Sequence, residues 1–164
     1  MTFKEYQKEA VSYRVGTADN KEYLTLGLIE EVGESAGKLA KRTRDNVFDE
    51  KAFIKELGDI LWFVANLADY YKSDYIQQAC ERHFVKLEND YYQSSDDIKA
   101  LAIFASRLAA DSTKDSVNFA CVIEWLVIIA TSFDYTIEQV AEINLAKLRD
   151  RVARGKIQGN GDER

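Results

Sequence analysis

Hydrophobic residues recur every three or four positions along most of the chain, the spacing that places them on one face of an α-helix. Two segments, Thr2–Glu5 and Thr136–Gln139, have the capping-box form that predicts a helix N-terminus. Signals for β-strands are weak everywhere, and the chain has no proline, the residue that interrupts helices. The pattern predicts an all-α protein whose helices pack as a bundle. Helices are predicted at about 3–14, 22–44, 49–72, 74–89, 96–111, 115–132 and 136–154.

Length and charge narrow the function classes. The 164 residues fit a single domain spanning 1–164, and the glycine-containing stretch 155–164 predicts an irregular tail. A formal net charge of −6 disfavours nucleic acid and anionic membranes as partners. Uncharged apolar stretches are about half as long as a membrane span, and the N-terminus does not resemble a signal peptide. We therefore expect no nucleic-acid or membrane partner and a cytoplasmic location.

Residues that commonly carry other chemistries are scarce. The chain has one histidine, His83, and two cysteines, Cys80 and Cys121. This composition does not suggest a zinc cluster, a disulfide framework or a Ser-His-Asp triad. Carboxylates are therefore the main candidates for functional side chains.

The second predicted helix carries Glu30, Glu31 and Glu34 inside an otherwise apolar run. Residues three apart lie on one helix face, so Glu31 and Glu34 point the same way and Glu30 borders that face. Like charges this close repel one another and are costly beside a core. Solvent, cationic partners or a metal ion should offset that cost.

The third predicted helix repeats the arrangement with Glu56 and Asp59, again three apart and again entering an apolar run. Two antiparallel helices of this kind can turn four carboxylates into one cleft. Oxygen ligands without histidine or cysteine favour Mg²⁺, with Mn²⁺ as a substitute. The competing interpretation is that each acidic pair lies on an ordinary solvated helix face.

Glycines interrupt both acidic helices. Gly33, Gly37 and Gly58 lie in the predicted interiors of these helices, where glycine costs about 1 kcal/mol relative to alanine. Close approach of two backbones at the acidic cleft would explain all three.

The last predicted helix places Asn144, Lys147 and Arg151 on one stripe, beside a separate apolar stripe. The polar stripe could bind phosphate oxygens opposite the acidic cleft. The alternative is a solvated basic face near a helix C-terminus, where cations are stabilised by the helix dipole.

A faint internal similarity relates Asp59–Trp62 to Val122–Trp125. Aligning the two tryptophans places Glu56 over Phe119 and Asp59 over Val122. A duplicated second copy would therefore lack the acids. The simpler interpretation is that two apolar helices each contain a tryptophan.

Taken together, the motifs resemble a known family. An E-E-x-x-E motif at Glu30, Glu31 and Glu34 is followed after 21 residues by E-x-x-D at Glu56 and Asp59. An Asn-Leu-Ala-Lys-Leu segment at residues 144–148 is the third motif in this order along the chain. This order is similar to that of the MazG-type all-α nucleoside triphosphate pyrophosphohydrolases, a superfamily that includes the dimeric dUTPases. The resemblance covers about residues 1–71 and 133–164.

The resemblance implies an activity. Members hydrolyse a nucleoside triphosphate to the monophosphate and pyrophosphate with Mg²⁺, through attack of water on the α-phosphorus. It implies that four carboxylates are metal ligands and that Glu30 supports them or orients the water. The implied metal ligands are Glu31, Glu34, Glu56 and Asp59.

The resemblance also implies substrate contacts. Asn144 and Lys147 match the phosphate-side pair of the family, and Arg151 and Arg154 are weaker matches. Trp62, with Phe63 and Tyr23 nearby, could stack on the base, although large aromatics at helical spacing more often form the core.

One segment departs from compact members of the family. Residues 74–117 resemble an inserted helical hairpin that could replace a partner subunit, cover the nucleotide or bind another protein. Relatives usually assemble as dimers or tetramers, so we expect a homo-oligomer.

Other functions remain open from the sequence alone. A narrower relative would be a dUTP or dCTP pyrophosphatase or a phosphoribosyl-ATP pyrophosphatase, and the base pocket that decides between them cannot be placed. The alternative of a different class is a non-catalytic helical interaction module that keeps the acids as a solvated face.

Overall fold

Seven α-helices and one short 3₁₀ turn make up the part of the chain that the structure describes. The structure is a computed structural model, and it describes residues 1–85, 95–110 and 115–156. No strand occurs among these residues, so the all-α prediction is confirmed. Most of the predicted tail, residues 157–164, lies outside the described residues. The helices are α1 (Phe3–Ser12), α2 (Lys21–Asp45), α3 (Glu50–Tyr71), α4 (Asp74–His83), α5 (Ser95–Ala110), α6 (Ser116–Thr131) and α7 (Ile137–Ala153).

Local capping explains where several helices begin. Both predicted capping boxes are present, at Thr2 before α1 and at Thr136 before α7. The Asn20 side chain accepts hydrogen bonds from two backbone amides at the start of α2. At its other end, α2 stops at Asn46, whose φ of 54° lies in the left-handed region that ends helices.

Two helix pairs form the main body of the bundle. The first pair is α2 with α3, and the second is α5 with α6; α2 also packs on α5, and α3 packs on α6. Helices α1 and α7 both lie against α3, on the side where α3 carries its acidic residues. One continuous apolar core, which includes Leu28, Leu57, Leu61 and Leu126, joins all of these layers.

Residues 74–117, the segment predicted as an inserted helical hairpin, contain the two helices α4 and α5. They pack mainly on other elements rather than on each other: α4 lies against α6 and α1, while α5 lies against α2 and α6. The segment therefore contributes a wall of the bundle within the described residues. Its connections at 86–94 and 111–114 lie outside them.

The tryptophan similarity relates two helices that contact each other, α3 and α6. At the α6 positions that align with Glu56 and Asp59, Phe119 and Val122 are fully buried. The second helix pair thus has core residues where the first has carboxylates.

The predicted close approach of two helices is observed at one of the three glycines, Gly58. A Cβ on Gly58 would lie 2.9 Å from the Cβ of Asn144, so this glycine lets α7 approach α3. The expectation is wrong for Gly33 and Gly37, where an added Cβ would meet no atom within 4 Å. A close approach that the sequence did not predict occurs at Gly27, where an added Cβ would lie 2.2 Å from Cζ of the Phe63 ring.

No helix among the described residues is long and apolar enough to cross a membrane. The cytoplasmic location expected from the sequence stays a prediction.

We expect Gly58→Ala to lower the free energy of unfolding by about 1–3 kcal/mol, because the new methyl group would push α7 away from α3. Gly33→Ala is the matched control, and it should raise stability by up to about 1 kcal/mol through helix propensity alone. Urea unfolding of dilute protein measures both. Equal stabilisation by the two substitutions would contradict the close approach at Gly58.

Candidate metal and phosphate site

Three carboxylates from two neighbouring helices meet at one point. Glu31 of α2 and Glu56 and Asp59 of α3 each offer an oxygen atom, and these atoms lie within 4.8 Å of one another. The i, i+3 spacing on α3 places Glu56 and Asp59 on the same face, toward α2. The structure thus assembles three of the four predicted metal ligands.

The other two predicted acids lie outside this cluster, whose residues are Glu31, Glu56 and Asp59. Glu34 is exposed one turn further along α2, and its charge still acts on Glu31. Glu30 is also exposed, on the side of α2 that borders the cluster. Both acids therefore stand at the rim of the cluster, facing solvent.

Asp59 is the carboxylate most firmly held by other side chains. The Nδ2 of Asn144 donates to its Oδ1 at 3.0 Å, and the ammonium of Lys147 forms an ion pair with its Oδ2. Asn144 is itself fixed, because the buried hydroxyl of Tyr6 donates to its Oδ1 at 2.8 Å. The predicted polar stripe on α7 therefore reaches the acidic cluster directly.

Burial and mutual repulsion control the protonation of the cluster. Burial is the main cause that raises the pKa of Glu31 to about 8, and the charges of Asp59, Glu56 and Glu34 raise it further. Burial also raises the pKa of Asp59, while the ion pair with Lys147 opposes that rise. Without a cation, Glu31 thus holds a proton at neutral pH.

A second lysine, Lys38 of α2, contacts the cluster at Glu56. The Nζ of Lys38 lies 3.0 Å from Oε1 of Glu56, with 31% of the lysine side chain and 15% of the glutamate side chain exposed. Sequence reasoning did not identify Lys38 or Tyr6 as site residues. Lys38 had a usable signal, since it follows Glu31 by seven positions and Glu34 by four, on the same helix face.

The other predicted substrate residues differ in how close they lie to the cluster and in which groups they contact. Arg151 is near enough to Asp59 to lower its pKa electrostatically, whereas Arg154 pairs with Asp150 at 2.5 Å. The indole Nε1 of Trp62 donates to the carbonyl of Ala10 at 3.2 Å, which ties this side chain to α1.

Two further aromatic residues lie on the α2 side. Phe63 is 6% exposed and packs against Tyr23, with ring centroids 5.8 Å apart. Tyr23 is 43% exposed, so of these two rings it is the more accessible to a base.

The residues present fit a divalent cation. The cluster offers hard oxygen ligands from two helices, and burial beside two other carboxylates raises the pKa of Glu31, a cost that a bound cation would reduce. Glu31, Glu56 and Asp59 would hold such an ion, with Glu34 next in reach along α2. The ligand chemistry suits Mg²⁺ or Mn²⁺.

Comparison with known proteins gives a family match over part of the chain that includes the acidic cluster. The model of the MazG nucleotide pyrophosphohydrolase domain matches residues 19–89. A stretch of 52 residues is 42% identical to the Gene 37 protein of Mycobacterium phage L5, and it covers 29% of this chain and 46% of that protein. The chain thus spans about half the length of this curated relative. No solved structure matches the chain.

The family match confirms the resemblance to the MazG type and includes all five acids. It also includes α4, which lies in the segment predicted as an insertion, and it ends before Asn144 and Lys147. The contact of α7 with Asp59 is therefore an independent observation, supplied by the tertiary structure.

Removing the charge of Glu31 should change how stability depends on pH. The raised folded-state pKa means that the folded state keeps a proton that the unfolded state releases, so this contribution to stability is lost as pH rises from about 4.5 to about 8. In the presence of a chelator, we expect Glu31→Gln to raise the free energy of unfolding at pH 8.5 by about 2 kcal/mol. The full pKa shift, at about 1.4 kcal/mol per pKa unit, would give a larger effect, but protonation of the other carboxylates relieves part of the repulsion.

Urea unfolding between pH 5 and pH 9 tests this expectation. Glu50→Gln, an exposed substitution at the start of α3, is the control and should keep the wild-type slope. If the free energy of unfolding of Glu31→Gln changed with pH in parallel with that of the wild type, the pKa of Glu31 would not be raised in the folded state.

Proposed function

We propose that this chain, whose residues 19–89 match the MazG nucleotide pyrophosphohydrolase domain, hydrolyses a nucleoside triphosphate to the monophosphate and pyrophosphate. The observation that carries the proposal is the meeting of three carboxylates from α2 and α3 with Asn144 and Lys147 from α7. A purely solvated acidic face would not bring a buried asparagine and a lysine onto one of its carboxylates. This argues against a non-catalytic helical module.

The cofactor that we propose is Mg²⁺, with Mn²⁺ as a substitute, held by Glu31, Glu56 and Asp59 together with Glu34. When bound, such an ion supplies charge neutralisation for the phosphates and polarisation of a phosphoryl oxygen. The three clustered carboxylates converge before any ligand arrives, which lowers the entropic cost of forming the site.

The residues of the chain have separate roles in this scheme. Lys147 and Arg151, on one face of α7, stabilise the negative charge that develops on the leaving pyrophosphate. Asn144 holds Asp59 in place and is fixed in turn by Tyr6. Glu30, exposed beside the cluster, is our candidate for orienting the attacking water.

Base recognition is the least constrained part of the proposal. Trp62 lies next to the cluster, yet its N–H is bound to Ala10, so only its ring is available to a base. We propose Tyr23 as a second stacking residue, because it is exposed and packs on Phe63.

We also propose that the chain forms a homo-oligomer with further copies of itself. The α2 face that points away from the core carries Leu26 and Ile29, which are 60% and 45% exposed, and the open space at Gly33 follows on that face. Exposed Glu22 lies at one end of this face and exposed Lys41 at the other. Antiparallel pairing of two copies of α2 would bring these opposite charges together.

The first test of the activity is a pyrophosphate-release assay across the eight common NTPs and dNTPs, with Mg²⁺ and with chelator. We expect metal-dependent release of pyrophosphate with the monophosphate as coproduct. Glu31→Gln and Asp59→Asn should each lower the rate at least about a hundredfold, because each removes a carboxylate from the cluster. Glu50→Gln is the control and should retain the wild-type rate.

Other products would lead to other conclusions. Orthophosphate as the product would mean cleavage at the γ-phosphate and a different reaction. Hydrolysis that survives both cluster substitutions would make the metal-ligand assignment wrong.

Light scattering coupled to size exclusion tests the assembly. We expect the wild-type mass to be a multiple of the 18.7 kDa chain and Leu26→Glu to elute as a monomer, since it places a charge in the proposed contact. Ile103→Glu, at a 53% exposed position on α5, is the control and should keep the wild-type mass. A monomeric wild-type protein at tens of micromolar would contradict the proposal.

A further inference from the structure

We infer that Lys38 is a substrate-binding residue that exchanges Glu56 for a phosphate group of the nucleotide when Glu56 binds a cation. The inference rests on the proposed function and adds a residue that neither the motifs nor the family match assigns. Its basis is the ion pair between Nζ of Lys38 and Oε1 of Glu56, 3.0 Å long and formed by a carboxylate of the acidic cluster.

The position of Lys38 suits this exchange. It lies on α2, on the same face as Glu31 and Glu34, so its ammonium reaches the cluster from α2. Lys147 approaches from α7 and pairs with Asp59. A polyphosphate bound across the cluster would thus meet one ammonium on the α2 side and one on the α7 side.

The charge arrangement explains why the pair breaks when ligands bind. Without ligand, Lys38 offsets part of the repulsion between Glu56 and Asp59. A divalent cation on Glu56 replaces that compensation and repels the ammonium. Lysine has a flexible four-carbon stem, and 31% of this side chain is exposed, so Lys38 can swing toward an anion without movement of the backbone.

The exchange predicts opposite effects on metal and nucleotide binding. Removing Lys38 removes a competitor for Glu56, so a metal ion alone should bind more tightly. The same change removes a cation from the phosphates, so nucleotide should bind more weakly. Simple structural damage would weaken both.

The test uses the full chain with Lys38→Met and Lys38→Arg, and with Lys51→Met, at an exposed position near the start of α3, as the matched control. Thermal-shift titrations with Mg²⁺ or Mn²⁺ alone measure metal binding. Calorimetry with the α,β-methylene analogues of the common triphosphates, in saturating Mg²⁺, measures nucleotide binding without turnover.

We expect Lys38→Met to lower the metal concentration at half-effect about three- to tenfold and to weaken analogue binding about tenfold or more. Lys38→Arg should restore most of the analogue binding, and Lys51→Met should match the wild type in both titrations. The KM for a hydrolysed nucleotide should rise in parallel with the analogue Kd.

Each contrary outcome has a distinct meaning. If the wild type releases pyrophosphate while Lys38→Met and Lys51→Met bind metal and analogue alike, the inference is overturned and the proposed function stands. Weakening of both ligands by Lys38→Met would assign Lys38 a purely structural role. A wild-type chain that neither binds an analogue nor releases pyrophosphate would overturn the proposed function and the phosphate role of Lys38 with it.

Discussion

Repulsion among carboxylates held at the junction of two apolar helices is the constraint on which this structure depends. Glu31, Glu56 and Asp59 converge within 4.8 Å, where burial weakens their hydration. The neighbouring elements reduce the cost of this arrangement. Lys147 and Asn144 come from α7 to Asp59, and Lys38 comes along α2 to Glu56. Burial and the neighbouring carboxylates still raise the pKa of Glu31 to about 8.

The supporting contacts extend well beyond the acids. The absence of a side chain at Gly58 lets α7 come close enough for Asn144 to reach Asp59. Tyr6 of α1 then holds Asn144 in the orientation in which both of its amide atoms are hydrogen-bonded. A tyrosine from the N-terminal helix and a glycine on α3 therefore shape the site without facing the substrate. Such contacts set the geometry on which the proposed metal binding would depend.

Helices α5 and α6 give the bundle its second half. Helix α5 packs on α2 and α6 packs on α3, and α6 buries Phe119 and Val122 where the first half carries acids. Within the described residues, the chain thus covers one side of its acidic helix pair with its own helices. The outward face of α2 leaves Leu26 and Ile29 exposed, and this is the face on which we propose that a further copy packs.

The sequence by itself determined the helices, the acidic motifs and the likeness to the MazG type, because capping, periodicity and motif spacing are local properties. It could not determine which acids converge: Glu34 matches the motif as well as Glu31, but only Glu31 joins the cluster. It also gave no reason to pair Lys38 with Glu56 or Tyr6 with Asn144, which are 18 and 138 positions apart. These contacts depend on how α1, α2, α3 and α7 are placed, and that placement is decided by packing across the whole core. The same reason explains why Gly58 has a neighbouring backbone while Gly33 and Gly37 face open space.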